Sequence, residues 1–505
     1  MLEALAMRHL LSLLSTCGLV VLLPVRGQAQ PERYEVGQRL RAFEAAWEEY
    51  TGPGDRRRCL KPLGDAANAF VAYEFWRSGS LGKVGEGLDK ARHALCSPQA
   101  PEPAAVWAGA LWLQPSRRLL DTATSELPIK LGTFYAVGAE QPKGARLRLT
   151  LLDGRGREAQ PAAEFPIPAL PAELRLPLKC VAEGDYRLRA EVVSACQVRA
   201  RSEQGLSLVK GVAERLQALG KALSAMPEKA PRTDAATARA QHQLLKSLAE
   251  GATVDTDCPA ARLLVEAEET VRVAAAGRSY HGNRRPGDFW LALPTQDKTV
   301  EARLLAPQAV KDGKPLPLVI ALHGLGGSGH LFFEGYGRGA MARECEKRGW
   351  LLVAPHLKRP LSLTDLIGVV DWLPVADLID EVDRLYPVDQ KRVYLVGHSM
   401  GARLASGLVG REPRRFAAVA ALAGGGPWKP GTGKASEELK DVRFFIGVGK
   451  EDLVPRAPTW ARELRPALEK AGVKDVTFKE YADIEHLLVV QAAQAEVFDF
   501  FAGKP

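Results

Sequence analysis

Residues 283–505 predict an α/β fold, a mostly parallel sheet flanked by helices, and three observations carry that prediction. Apolar runs alternate with amphipathic stretches along the whole segment. Several of those runs are apolar on both faces, as in "PLPLVIALHG" and "KRVYLVG", which marks strands covered by helices above and below. One run stops at the tripeptide-spaced glycines of "VGHSMGARLA", where a strand must turn at once into a helix.

The elements follow in order. "DFWLALP" and "VEARLLAP" read as an antiparallel opening pair, then "PLPLVIALHG" as a buried strand. "YGRGAMARECEKRG" reads as a helix and "WLLVAP" as the next strand. "VADLIDEVDRLYP" (helix), "KRVYLVG" (strand), "GARLASGLVGREP" (helix) and "FAAVAALAG" (strand) continue the alternation. "RFFIGVG", the helix "APTWARELRPALEKAG", the strand "DVTFKEYAD" and the helix "QAAQAEVFDFFAG" close it.

Upstream the texture differs. Arg8, the apolar run "LLSLLSTCGLVVLLPV" and a small-residue site around Ala29 read as a secretory signal peptide over residues 1–29. The apolar run is short for a retained span of ~20 residues, and it continues past Cys17, which argues against lipidation. Residues 30–125 read as helical, with Trp47, Phe70, Phe75 and Trp76 assigned to core. Residues 126–200 alternate apolar and polar between Gly and Pro, as in "ARLRLTLLD" and "DYRLRAEVV", and predict a small β-sandwich. "EGDYRLRAEV" resembles the late hairpin of immunoglobulin-like accessory domains. Residues 201–282 return to helix as a connector without a sustained heptad.

Composition bounds the function. The chain is 46% hydrophobic and 25% charged, enough to build sizeable cores. Its net charge of +8 is spread over scattered arginines, which excludes a nucleic-acid footprint. After the signal no segment is long and apolar enough for a stable membrane span. Six cysteines follow Cys17, and an exported chain permits disulfides, with Cys59 nearest Cys96 and Cys180 nearest Cys196. The pairing itself is left open. No C-x-x-C occurs and the histidines lack zinc-ligand spacing, so no metal is expected.

The chemistry gathers on the ends of the C-terminal strands. Ser399 lies between Gly397 and Gly401, with a strand before and a helix after. Such a turn strains the serine backbone and holds its oxygen out, while the glycines avoid side-chain clashes. A neutral serine needs a base. Among His323, His330, His356, His398 and His486, the last follows the final strand and is the expected base. An orienting carboxylate is expected from Asp452 in "GKEDLVP", preferred over Glu451 and Asp483 because this loop resembles the acid-bearing loop of many hydrolases. An oxyanion needs two amides. Met400 follows the nucleophile, and Leu325 lies in the loop "HGLGGSGH", where Gly324 and Gly326 permit close approach.

Together, "VIALHGLGGSG", "LYPVDQKRVYLVGHSMGARLA", "GKEDLVP" and "IEH" resemble an α/β-hydrolase of the exported esterase branch, polyhydroxybutyrate-depolymerase-like or feruloyl-esterase-like. The resemblance covers less than half the chain, and Ala402 departs from relatives that carry a second Gly. It implies a periplasmic or secreted serine esterase acting on a small-molecule or polymer ester, without a cofactor. Two alternatives are weighed: a prolyl-oligopeptidase-type peptidase, and a cell-envelope binding protein with a vestigial hydrolase domain. The short connection "GGGPWKPGTGKASEELKD" leaves no room for a large inserted lid, so a fairly open site is expected, with Trp372 and Trp428 as candidate pocket walls. Oligomeric state is left open.

Overall fold

The chain is described by a computed structural model covering residues 31–51, 55–179, 181–282, 284–357, 373–428 and 437–503. The expected signal peptide, Trp372 and Cys180 lie outside these residues.

Three helices come first: α1 (Pro31–Glu49), α2 (Leu60–Trp76) and α3 (Leu81–Cys96), with a short α4 (Pro103–Ala110) after them. Strands begin at Leu111, earlier than the expected residue 126, and run to Val209, beyond the expected 200. β1 (Leu111–Pro115), β3 (Glu126–Thr133) and β6 (Ala172–Pro177) form one antiparallel sheet. β2 (Leu119–Asp121), β4 (Arg146–Leu152), β5 (Ala163–Pro166), β7 (Gly184–Ser194) and β8 (Gln197–Val209) form the other. Alternate residues of both, such as Ile129, Leu131, Leu147, Leu149 and Leu188, meet in one core, as sandwich packing demands.

Helices α5 (Val212–Ser224), α6 (Arg232–Ala249) and α7 (Ala260–Ala275) follow. They do more than connect. The eight-stranded C-terminal sheet starts with the antiparallel strands β9 (Gly287–Pro294) and β10 (Thr299–Ala306), and β9 is its edge. An open edge exposes unpaired backbone groups. Here α6 covers it: the Ala292 N–H donates to Thr237 Oγ1 at 3.0 Å, and Gln241 Nε2 donates to the Trp290 carbonyl at 3.1 Å.

The rest of the sheet comprises β11 (Leu316–Leu322), β12 (Leu351–Pro355), β13 (Val388–His398), β14 (Ala418–Leu422), β15 (Arg443–Gly449) and β16 (Val476–Tyr481). Its order is β16-β15-β14-β13-β11-β12-β10-β9, parallel from β16 to β12. Its flanking helices are α8 (Tyr336–Arg348), α9 (Val375–Leu385), α10 (Met400–Arg411), α11 (Ala457–Lys470) and α12 (Val489–Phe501). α8 departs from the expected helix at its start. Residues 337–339 are left-handed (φ 78°, 55° and 71°), a turn that Gly337 and Gly339 permit, and a Cβ on Gly339 would sit 1.9 Å from the Phe333 carbonyl oxygen.

The first three helices pack on the hydrolase sheet rather than standing apart. Phe43, Leu63, Val84 and Leu88 share one core with Val319, Ala321, Leu352 and Phe498. Cys59 and Cys96 are unbonded, Cys59 buried and Cys96 exposed. Trp76, expected in the core, is 72% exposed, since it ends α2 just before the left-handed Arg77 and points past the packed face.

Candidate active site

Parallel register brings the critical loops to one edge of the sheet. Leu322 pairs with Gly397, and His398 with Leu422, so the chains leaving β11, β13 and β14 emerge side by side. Gly449 pairs with Tyr481, so the loops after β15 and β16 do the same. They touch: the Glu451 N–H donates to the Ile484 carbonyl at 3.1 Å, and a Cβ on Gly449 would lie 2.2 Å from that oxygen.

Ser399 has φ 54° and ψ −111°, a conformation that L-residues avoid. The turn holds because its neighbours have no side chains. A Cβ on Gly397 would be 2.2 Å from the Gly401 carbonyl oxygen, and one on Gly401 would be 1.9 Å from that of Leu322. The Ser399 N–H donates to the Leu422 carbonyl at 2.8 Å, which fixes the turn to β14.

His486 and Asp452 meet although 34 residues apart: Nδ1 lies 2.8 Å from Asp452 Oδ2, and both side chains are buried. The other carboxylate oxygen accepts from the Val454 N–H at 2.9 Å. Burial disfavours an imidazolium at His486. The Asp452 charge and hydrogen bond outweigh it, with Glu485 adding, so the His486 pKa lies above its ordinary value. The competitors fall away: Glu451 is exposed, and the Asp483 carboxyl is 55% exposed beside Arg57.

The Gly324–Leu325 peptide is held from one side. The Gly324 carbonyl accepts from the Gly327 N–H at 3.2 Å and from His323 Nδ1–H at 2.7 Å. His323 is in that tautomer because its Nε2 accepts from the Leu357 N–H at 2.9 Å. Burial lowers its pKa to about 4, so it stays neutral. In a trans peptide the N–H points opposite the carbonyl. The Leu325 N–H is therefore directed away from His323. A Cβ on Gly324 would sit 3.4 Å from Ser399 Cβ, so this loop lies against the serine. Gly326 (φ 66°) makes the turn. Met400 starts α10, and its N–H is one of the unpaired amides at a helix N-terminus.

His398 has a role that sequence reasoning missed. Its Nε2–H donates to the His486 carbonyl at 3.0 Å, and its Nδ1 accepts from the Tyr336 hydroxyl at 2.9 Å. Burial, with the nearby His486 charge, drives the His398 pKa down to about 3, so the ring is neutral and this tautomer persists. One hydrogen-bonded chain thus ties Tyr336, at the start of α8, to the main chain of His486. Nothing in the spacing of Tyr336 and His398 signals it.

Ser399, His486, Leu325, Gly324 and Gly326 line one cleft of about 140 Å³. Its other wall comes from α1–α3, with Val36, Leu40, Phe70, Val84 and Leu88. The expected open site is corrected: among the described residues, the N-terminal helices α1–α3 cover the cleft. Trp428 is a core residue, its Nε1–H donating to the Ser406 carbonyl at 2.9 Å, and it does not line the cleft.

A mostly parallel sheet with a strained serine at the β13–α10 turn defines an α/β-hydrolase domain. Residues 317–446 match the family described as alpha/beta hydrolase fold. The relatives are esterases. The chain is 28% identical over 136 residues to the bifunctional acetylxylan esterase/xylanase of Neocallimastix patriciarum, covering 27% of this chain and 19% of that one. It is 29% identical over 115 residues to feruloyl esterase B of Talaromyces funiculosus, covering 21% and 32%. The chain thus spans between a fifth and a third of the length of the curated relatives it matches. A ferulic acid esterase structure from Anaeromyces mucronatus matches with TM-score 0.36 at 16% identity, over 43% of this chain and 90% of that one. A thermostable esterase matches with TM-score 0.36 at 13% identity, over 78% and 99%. Among the described residues no helix is long and apolar enough to cross a membrane.

Proposed function

We propose that the chain is an exported serine hydrolase that cleaves carboxylic esters through an acyl-enzyme. The observation that carries this is the buried His486–Asp452 hydrogen bond of 2.8 Å on the same cleft as the strained Ser399. His486 accepts the Ser399 proton as the serine oxygen attacks the ester carbonyl, and returns it to the departing alcohol. Asp452 fixes the ring with Nε2 free to act and stabilises the imidazolium. The N–H groups of Leu325 and Met400 hold the oxyanion; removing one such donor costs ~10²–10³ in rate. Water, deprotonated by His486, then attacks the acyl carbon and releases the acid. The leader over residues 1–29 supports export.

The test uses p-nitrophenyl esters of graded acyl length, with Ser399→Ala beside the wild type. Turnover by the wild type alone supports the reading. No turnover of any ester, with cleavage of a peptide p-nitroanilide instead, favours the peptidase alternative.

A further inference from the structure

One face of α1 lines the cleft at helical spacing, with Arg33, then Val36 and Gly37, then Leu40 and Arg41. Gly37 lets this face approach closely, since a Cβ there would be 2.9 Å from the Asp255 carbonyl oxygen. Two guanidinium groups therefore enter an otherwise apolar wall, and their situations differ. Arg33 is matched: it pairs with the buried Glu74 carboxylate, and its Nη1–H donates to the Gly326 carbonyl at 3.1 Å.

Arg41 is unmatched. Its Nη2 is buried with no hydrogen-bond partner, and none of the described carboxylates pairs with it. The nearest acid on its own helix, Glu44, is buried, which raises its pKa to about 8 and keeps it protonated at neutral pH. Asp255, the acid lining the same cleft, bears on the His323 and His356 rings. His330, another lining residue, feels the Arg41 charge, and burial keeps it neutral. A guanidinium held partly out of water without a counter-charge is costly, and a planar carboxylate matches its donors two at a time.

We propose that Arg41 is the anion-recognition residue of the cleft, so that the substrates are esters carrying a carboxylate on their acyl or alcohol part. The substrate class rests on the ester-hydrolase reading; recognition of the anion does not. This assigns α1, far upstream of the hydrolase domain in sequence, a direct part in specificity.

The first experiment needs no turnover. Calorimetry compares phenylacetate with phenylacetamide, which share a shape and differ in charge, on wild type, Arg41→Gln and Arg41→Lys. Wild type binds the anion at least about tenfold tighter than the amide, as for a charge-assisted hydrogen bond. Arg41→Gln brings the ratio to within about twofold of one, and Arg41→Lys keeps part of it. Equal binding of the two by wild type, or an Arg41→Gln that keeps the wild-type ratio, overturns the proposal. The second experiment locates the carboxylate. It compares kcat/KM for p-nitrophenyl hemisuccinate against p-nitrophenyl butyrate, and for 4-(butyryloxy)benzoate against its methyl ester. A preference in the first pair places the anion on the acyl side, and in the second on the alcohol side. A preference in neither pair overturns the substrate class. Anion binding without turnover of any ester would leave Arg41 standing and remove the esterase reading.

Discussion

His398 is the residue whose removal probes the site most sharply without touching the reacting groups. Its ring bridges the His486 carbonyl (3.0 Å) and the Tyr336 hydroxyl (2.9 Å) in a fully buried setting. His398→Ala leaves two buried polar groups unpaired, each costing ~1–3 kcal/mol. Stability therefore falls by about 2–6 kcal/mol from these two losses. The catalytic effect is separate. Freed from its anchor, the His486 main chain can shift, and a displacement near 1 Å costs roughly 10²-fold in kcat. Two conservative variants separate positioning from bulk. Glutamine puts an N–H where Nε2 donates to His486; asparagine puts an acceptor where Nδ1 meets Tyr336. kcat recovers to within about tenfold in His398→Gln and remains low in His398→Asn. Steady-state kinetics on the folded fraction, quantified by circular dichroism, reads this directly. Unchanged kcat in His398→Ala, or an asparagine variant as active as the glutamine one, would refute it.

Further outcomes follow from the same geometry. Because His486 acts as a neutral base and its pKa is raised, the acid limb of kcat/KM falls above pH 6.5; Asp452→Asn lowers the rate by ~10⁴ and moves the residual limb to lower pH, as a pH–rate profile shows. Burial raises the Glu485 pKa from 4.5 to about 7. A raised carboxyl favours the folded state below the unfolded pKa, and this advantage is lost as pH rises from 4.5 to about 7. Glu485→Gln therefore gains about 3 kcal/mol over wild type between pH 4 and pH 8, measured by denaturant unfolding at both. Gly401→Ala forces a Cβ to within 1.9 Å of the Leu322 carbonyl oxygen, so it loses stability at the upper end of the ~1–3 kcal/mol range for overpacking and abolishes activity together; calorimetric Tm and ester turnover check both.

How much is legible in the sequence depends on the range of the interactions. The β13–Ser399–α10 turn is legible because its glycines answer a local steric demand. The preference for Asp452 over Glu451 rests on the resemblance of "GKEDLVP" to acid-bearing hydrolase loops; in the structure Asp452 is buried and Glu451 exposed. The cover over the cleft is not legible. Val36, Leu40 and Phe70 carry an ordinary amphipathic pattern, and nothing in that pattern says which surface the face will meet. The sandwich border moved to Leu111 because β1 is short and follows α4 without a break, so no loop marks it. The bridge through Tyr336 and His398 escapes for the same reason as the cover: it joins residues 62 apart through tertiary contact alone.

Whether Ser399 is an activated nucleophile is read by covalent labelling with a fluorophosphonate followed by peptide mass spectrometry. The expected result is one phosphonyl group per chain, on Ser399, with labelling abolished in Ser399→Ala and slowed in His486→Ala. Folded protein that takes up no label, or takes it up equally on another residue in Ser399→Ala, would contradict it.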